Sequence, residues 1–353
     1  MTVRRLCVLM LPPIEWLPDH RAHTPDGGPD GAALERLLAA EGIDCAILDP
    51  LVWPWNPFGR RHPLLRGIDP LRALRVLLSW RNVDAVVCVF EGPALLPALL
   101  RRLFRFRPEL LMWDMGLTDG WRLRERIQDL VIPRLDGILV LGANQIDEIH
   151  TRWPTHAPVA CVGHYVDTAF FRPLPPSAAE RGYVLSVGDD GGRDYPSLLE
   201  AAVRLDREVV IRTGQSLQLD AARHAPVRRI AERLTFPALR RLYADAAVVV
   251  VPLADRPHAG GVTAVLEAAA MGRAAVVSAS AGVRDWCRDG ETCLIVPCGD
   301  AAALHAAIRC LLDDPGLRDR LGRNARAFAE REGSTEAFAK RFAARLRYAS
   351  AHP

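Results

Sequence analysis

Short apolar runs recur along the chain at Leu6 to Met10, Asp44 to Leu48, Ala85 to Phe90, Leu110 to Met112, Gly137 to Leu141 and Val159 to Val162. Helical patterns stand between several of them. Short strands alternating with helices predict a parallel α/β sheet. The alternation begins again at Tyr183, passes through Val209 to Arg212, and reaches Ala246-Ala247-Val248-Val249-Val250-Val251. The length and β-branching of that last run predict a buried parallel strand, closed by Pro252. Two such series predict two doubly wound, Rossmann-like domains. The break falls at Phe170-Phe171-Arg172-Pro173-Leu174-Pro175-Pro176, because crowded prolines stop helix and sheet alike. The expected organisation is an N-terminal domain over 1–170, a linker over 171–182, a C-terminal domain over 183–333 and a last helix over 334–353, with Phe338, Phe342 and Leu346 at four-residue steps.

After the valine-rich strand come His258-Ala259-Gly260-Gly261-Val262-Thr263, a helical pattern to Met271, and Gly272. Gly260 and Gly261 permit a sharp turn and a close approach of ligand to backbone, while Thr263 is placed to cap a helix that Gly272 stops. The N–H groups from Gly260 through Gly261 and Val262 to Thr263, with the positive end of the helix dipole, then make an anion site suited to phosphate. Glu267 lies one helical turn beyond Thr263 on the same face, where its carboxylate can accept hydrogen bonds from sugar hydroxyls. The plain alternative is a glycine-turned helix start with a solvated glutamate.

Beyond Gly272 the chain continues with a strand at Arg273 to Ala279, then Ala281-Gly282, Arg288-Asp289-Gly290-Glu291, Cys293-Leu294-Ile295-Val296-Pro297, Gly299-Asp300 and a helix ending Leu311-Leu312-Asp313-Asp314-Pro315. In this order the motifs resemble the donor domain of retaining GT-B glycosyltransferases of family 4, the group 1 glycosyltransferases. Val166-Asp167-Thr168-Ala169-Phe170-Phe171-Arg172-Pro173 is similar to that family's interdomain signature, with Tyr165 in place of its glycine. The resemblance implies a GT-B fold, a nucleotide-diphosphate-sugar donor with UDP or GDP as the base carrier, and Arg193 as the counterpart of the family's diphosphate-binding lysine. It also implies departures: Asp189 stands where an arginine is usual, and Ala259 where a first glutamate is usual, with His258 beside it.

In the first domain Asp26-Gly27-Gly28 precedes a helix carrying Leu34, Leu37 and Leu38, which resembles the family's donor-facing glycine loop. Gly27 and Gly28 could approach sugar or phosphate through their backbone; a surface turn is the alternative. Asp114 ends a strand, where open α/β sheets bind ligands, but Trp113 takes the position of the family's cleft histidine. His164 is a second histidine candidate beside the linker. Residues 49–67, with Trp53, Trp55, Phe58, Arg60 and Arg61, and the run Leu99-Leu100-Arg101-Arg102-Leu103-Phe104-Arg105-Phe106-Arg107 interleave arginine with apolar side chains. The simpler reading of the second run is a helix that packs Leu99, Leu103 and Phe106 inward with its arginines in water; the other is a surface for an anionic membrane or a glycan acceptor.

The chain has 353 residues, 50% hydrophobic and 25% charged, enough for two full cores. Its net charge of +3 gives no broad basic surface for nucleic acid. Eight cysteines without a CxxC pair read as free thiols, and no metal-binding motif of the DxD type is placed to neutralise a diphosphate. The short first apolar run ends in Pro12-Pro13, which reads as a strand and not a signal peptide, and no run is long enough to span a membrane. The expected location is the cytoplasm, with the inner face of the cell membrane as the site of any peripheral contact through the arginine and aromatic patches.

The chain therefore reads as a glycosyltransferase with no required cofactor, taking a nucleotide-sugar donor and a glycan, lipid-linked or small-molecule acceptor. Asp114 and His258 are its catalytic candidates; Gly27, Gly28, Arg193, Gly260, Gly261, Val262, Thr263 and Glu267 are its donor-binding candidates. Two others stay open: a catalytically inactive GT-B scaffold, and a GT-B sugar-nucleotide epimerase or hydrolase.

Overall fold

The computed structural model describes residues 5–12, 27–48, 68–78, 80–114, 122–175, 182–220, 226–256 and 260–351. It divides into two compact units: Met1–His23, Asp30–Gly163 and Phe338–Pro353 form one, Thr24–Pro29 and His164–Ala337 the other.

The first unit runs β1 (Leu6–Leu11), α1 (Ala33–Ala40), β2 (Ile43–Ile47), α2 (Pro70–Leu78), β3 (Ala85–Val89), α3 (Glu91–Leu100), β4 (Glu109–Asp114), α4 (Arg122–Val131), β5 (Gly137–Val140), α5 (Asn144–Arg152) and β6 (Val159–Cys161). Its strands make one parallel sheet in the order β2-β1-β3-β4-β5-β6. The central strand β3, Ala-Val-Val-Cys-Val, is buried along its whole length, as a strand covered on both faces must be.

The second unit runs β7 (Tyr183–Val187), α6 (Tyr195–Ala202), β8 (Val209–Arg212), β9 (Val227–Ile230), α7 (Phe236–Ala244), β10 (Ala246–Val251), α8 (Val262–Ala270), β11 (Ala275–Ser278), β12 (Leu294–Val296), α9 (Ala301–Asp313), α10 (Pro315–Glu332) and the start of α11 (Thr335–Ala351). The sheet order is β12-β11-β10-β7-β8-β9, again parallel. Asp194 caps α6, its carboxylate accepting from the Ser197 N–H at 3.2 Å, with proline in the first turn. Phe170 and Phe171 are buried in this unit, Phe171 edge-on to Tyr243 at 6.4 Å.

One expectation changes, and one strand falls outside the expected runs. The run over 99–107 does not pack as a helix with both leucines inward: α3 stops at Leu100, the chain turns through Arg105 at φ +49°, and only Phe106 enters the core while Leu99 and Leu103 face solvent. Edge strand β9, Val-Arg-Arg-Ile, escapes the apolar pattern because two of its residues are arginines. Residues 49–67, the other patch, lie outside the described residues. None of the eight cysteines forms a disulfide.

Candidate active site

Strands β7 and β10 are neighbours, and the loops leaving their C-terminal ends carry the residues singled out in the second half of the chain. Ligands of open parallel sheets bind at this edge. The loop after β7 folds onto the segment after β10: Arg193 and Leu253 form an isolated antiparallel bridge, the Asp194 N–H donates to the Pro252 carbonyl at 3.1 Å, and the Ala254 N–H to the Gly192 carbonyl at 2.9 Å. Leu253 in turn lies against Gly261, so Arg193 is fixed beside the start of α8.

Gly261 sits at φ +86°, and a Cβ there would stand 2.8 Å from Leu253 Cδ2 and 3.1 Å from Val251 Cγ1. Conformation and space both demand glycine. This glycine turns the chain into α8 by itself, so the helix starts at Val262 and Thr263 falls inside the first turn; Thr263 is not the cap. Its hydroxyl instead lies 2.9 Å from Nε2 of His164. Burial pushes His164 down to about 4, which keeps the ring neutral near pH 7. Gly260, half-buried, completes the turn, and Gly272 at φ +66° follows the end of the helix.

Arg193 is 8% exposed. Its Nε donates to Asp190 Oδ2 at 2.7 Å, while Nη1 is buried with no hydrogen-bond partner among the described residues. The guanidinium lies so close over Gly188 that any Cβ at that position would collide with it. A buried donor without a partner is costly, and a fixed guanidinium is suited to a phosphate or carboxylate.

Where the resemblance would place a second cation, Asp189 accepts the Gly214 N–H at 2.6 Å and pairs with Arg212. Partial burial would raise the Asp189 carboxyl, but the Gly214 N–H and Arg212 outweigh it and hold it below its ordinary value. Arg212, at the end of β8, thus brings a guanidinium next to Asp189 and pairs with it. Sequence reading missed this residue, although an arginine closing the buried run Val-Val-Ile before Thr213-Gly214 was a signal.

Glu267 is 7% exposed and not solvated. Its Oε2 accepts from the Tyr243 hydroxyl at 2.8 Å, a bond from the last turn of α7 to the second turn of α8. Burial pushes Glu267 up to about 7, against the opposing pull of the Tyr243 hydrogen bond and of Arg193 and Arg212. Arg193, Arg212 and Glu267 therefore form one electrostatic set with the α8 N-terminus.

In the first unit Asp114 is the last residue of β4, opposite Val140, at the C-terminal edge of that sheet. Trp113 is 1% exposed and packs against Phe338 at 5.3 Å and Phe342 at 5.4 Å, both on α11; it is a core residue. Gly27 stands at φ +70° with open space around it, and Gly28 is half-buried; both group with the second unit, although they precede α1 of the first. His258 and Ala259 lie outside the described residues.

Residues 193–314 match the family of glycosyl transferases group 1. The fold is that of sucrose-phosphate synthase from Thermosynechococcus elongatus, at 18% identity over 99% of this chain and 100% of that one, with a TM-score of 0.72. It is also that of HepE from Anabaena in complex with UDP-glucose, at 13% identity over 98% and 100%, TM-score 0.68. The lipopolysaccharide outer core galactosyltransferase WaaB, in its apo form, aligns at 14% identity over 97% and 100%, TM-score 0.68. No curated protein sequence matches the chain. Residues 193–314 thus form a group 1 glycosyltransferase domain, and the chain that carries it is a glycosyltransferase of the GT-B fold.

Proposed function

We propose that this glycosyltransferase, whose donor is a nucleotide sugar, binds a UDP- or GDP-sugar on the loops after β7 and β10 and transfers the sugar, with retention of configuration, to a carbohydrate, lipid-linked or small-molecule acceptor. The observation that carries the reading is the Arg193 guanidinium, out of water, with Nη1 unpartnered among the described residues, beside a helix start opened by Gly261. A diphosphate answers each of these: its oxygens accept from Nη1 and from the first N–H groups of α8, and its charge suits both cation and dipole. As the glycosidic bond breaks, negative charge grows on the leaving phosphate, where such fixed donors act most strongly.

Glu267, oriented by Tyr243, accepts the ribose hydroxyls in its ionised form. Same-face attack lets the leaving phosphate take the acceptor's proton, so the step needs no protein base. Asp114 and His258 are then assigned to acceptor and sugar, and Gly27 and Gly28 to the backbone approach on the transferred sugar. Among the two donor bases, HepE in complex with UDP and UDP-glucose favours uracil.

The test is release of nucleoside diphosphate from UDP- and GDP-sugars with and without sugar, glycolipid and small-molecule acceptors. Acceptor-dependent release, with an axial or equatorial anomeric coupling in the product matching that of the donor, supports retaining transfer. Acceptor-independent release with free sugar indicates a hydrolase; tight binding without turnover indicates an inactive scaffold.

A further inference from the structure

Eight large apolar side chains are exposed among the described residues, and six of them stand on one run of the first unit: Leu71, Leu74 and Leu78 of α2, Leu99 of α3, Leu103 on the turn after it, and Leu130 of α4. Single exposed leucines are ordinary; their concentration on three helices is not. The helices are neighbours, with α3 packed on both α2 and α4. Each runs antiparallel to the strands that it joins, so their C-terminal ends meet along the edge where β3, β4 and β5 begin, opposite the edge that holds Asp114. Leu78, Leu99, Leu103 and Leu130 all stand at that edge, and Leu103 is 77% exposed on the turn after α3.

The same edge is basic. Arg81, Arg102, Arg105 and Arg107 are exposed and make no ion pair among the described residues. The acids nearby are engaged: Asp136 pairs with Arg101 at 2.7 Å and accepts the Leu110 N–H, Asp84 accepts the Cys7 N–H, and Asp129 accepts the Trp153 indole N–H at 2.7 Å. Glu109 is raised to about 7 by burial and by Asp136 and Asp84, which reduces its opposing charge. Projecting leucines among unneutralised arginines match the chemistry of an anionic lipid surface, where apolar tips enter below the headgroups and guanidiniums meet phosphates.

We infer that the ends of α2, α3 and α4 dock on an anionic bilayer, with Leu99 and Leu103 entering the headgroup boundary and Arg102, Arg105 and Arg107 contacting lipid phosphates. None of these residues belongs to the donor set of the second unit, so the inference stands independently of the reading of that site.

The experiment is flotation of the full chain with phosphatidylcholine vesicles and with vesicles containing phosphatidylglycerol, for the wild type, Leu103→Asp, and Arg102→Gln with Arg105→Gln. Melting temperature and nucleotide binding of each variant report that the fold and donor site are intact, since every changed side chain is exposed. The expected result is binding only to the anionic vesicles, weakened by salt, reduced about fivefold for each arginine lost, and abolished by Leu103→Asp. Wild type that ignores anionic vesicles, or variants that bind them unchanged, overturns the inference. So does a stable dimer in light scattering that Leu103→Asp dissociates, because the patch would then face a second copy.

Discussion

Single groups held in place before any ligand arrives decide what the proposed donor site can do. Arg193→Ala removes a buried guanidinium whose charge-assisted bonds are worth about 1.5–3 kcal/mol each, so nucleoside-diphosphate affinity measured by calorimetry should fall by roughly 10- to 100-fold. Arg193→Lys restores the charge without the planar fork and should recover part of the loss. Tyr243→Phe should weaken donor binding and leave turnover of bound donor nearly unchanged, because the hydroxyl acts through Glu267. Its removal also takes away an interaction that lowers the Glu267 pKa, so the rise in donor affinity around pH 7 should move to higher pH. Donor affinity against pH for the two proteins checks this. Motif order in the sequence singles out Arg193 and Glu267 as candidates because it brackets them. It leaves Arg212 and Tyr243 obscure, since each meets its partner only after the β8 end and the α7 end fold back, 23 residues from Asp189 and 24 from Glu267.

Among the elements, the turn into α8 has the largest consequence. Gly261→Ala forces a Cβ against Leu253 and Val251 in a left-handed conformation, so the variant should lose about 1–3 kcal/mol or more in denaturant unfolding and bind donor poorly. Gly191→Ala, in the loop after β7 with nothing within 4 Å, serves as the neutral control. Strands are legible in the sequence because short β-branched runs closed by turn residues favour a buried strand over a helix, as in β10. The cap of α8 is not, and for a physical reason: threonine is a good N-cap by type, but a left-handed glycine two residues earlier has already started the helix. Leu99 and Leu103 mislead in the same way, because helical spacing continues past Leu100, whereas the helix does not.

For the chain as a whole, stability and acidity are linked through two groups of opposite sign, the buried Glu267 and the half-buried His164. Glu267 has a folded pKa of about 7 against an ordinary 4.5, so the folded chain keeps a proton that the unfolded chain loses, and stability falls as pH rises from about 4.5 to 7. His164 has a folded pKa of about 4 against 6.5, so its contribution is lost as pH drops from about 6.5 towards 4. Glu267→Gln should abolish the first slope, worth on the order of 3 kcal/mol, and leave the second. Chemical unfolding at stepped pH reads both. Trp113→Ala should cost about 3–5 kcal/mol and release the end of α11, seen as lost hydrogen-exchange protection around Phe338 and Phe342. The two-domain α/β plan is visible in the sequence because strand–helix alternation restarts at Tyr183. That a tryptophan replaces the expected histidine is visible too, but its role in anchoring α11 is not, since the two segments lie far apart along the chain.

Calorimetric titration of the purified chain with UDP and GDP, beside Arg193→Ala of equal melting temperature, decides whether the fixed guanidinium and the α8 start bind a nucleoside diphosphate. The expected result is saturable binding of one of the two nucleotides, weakened about tenfold or more in the variant. A folded wild type that binds neither, or a variant that binds as tightly as the wild type, would refute the assignment of the donor site.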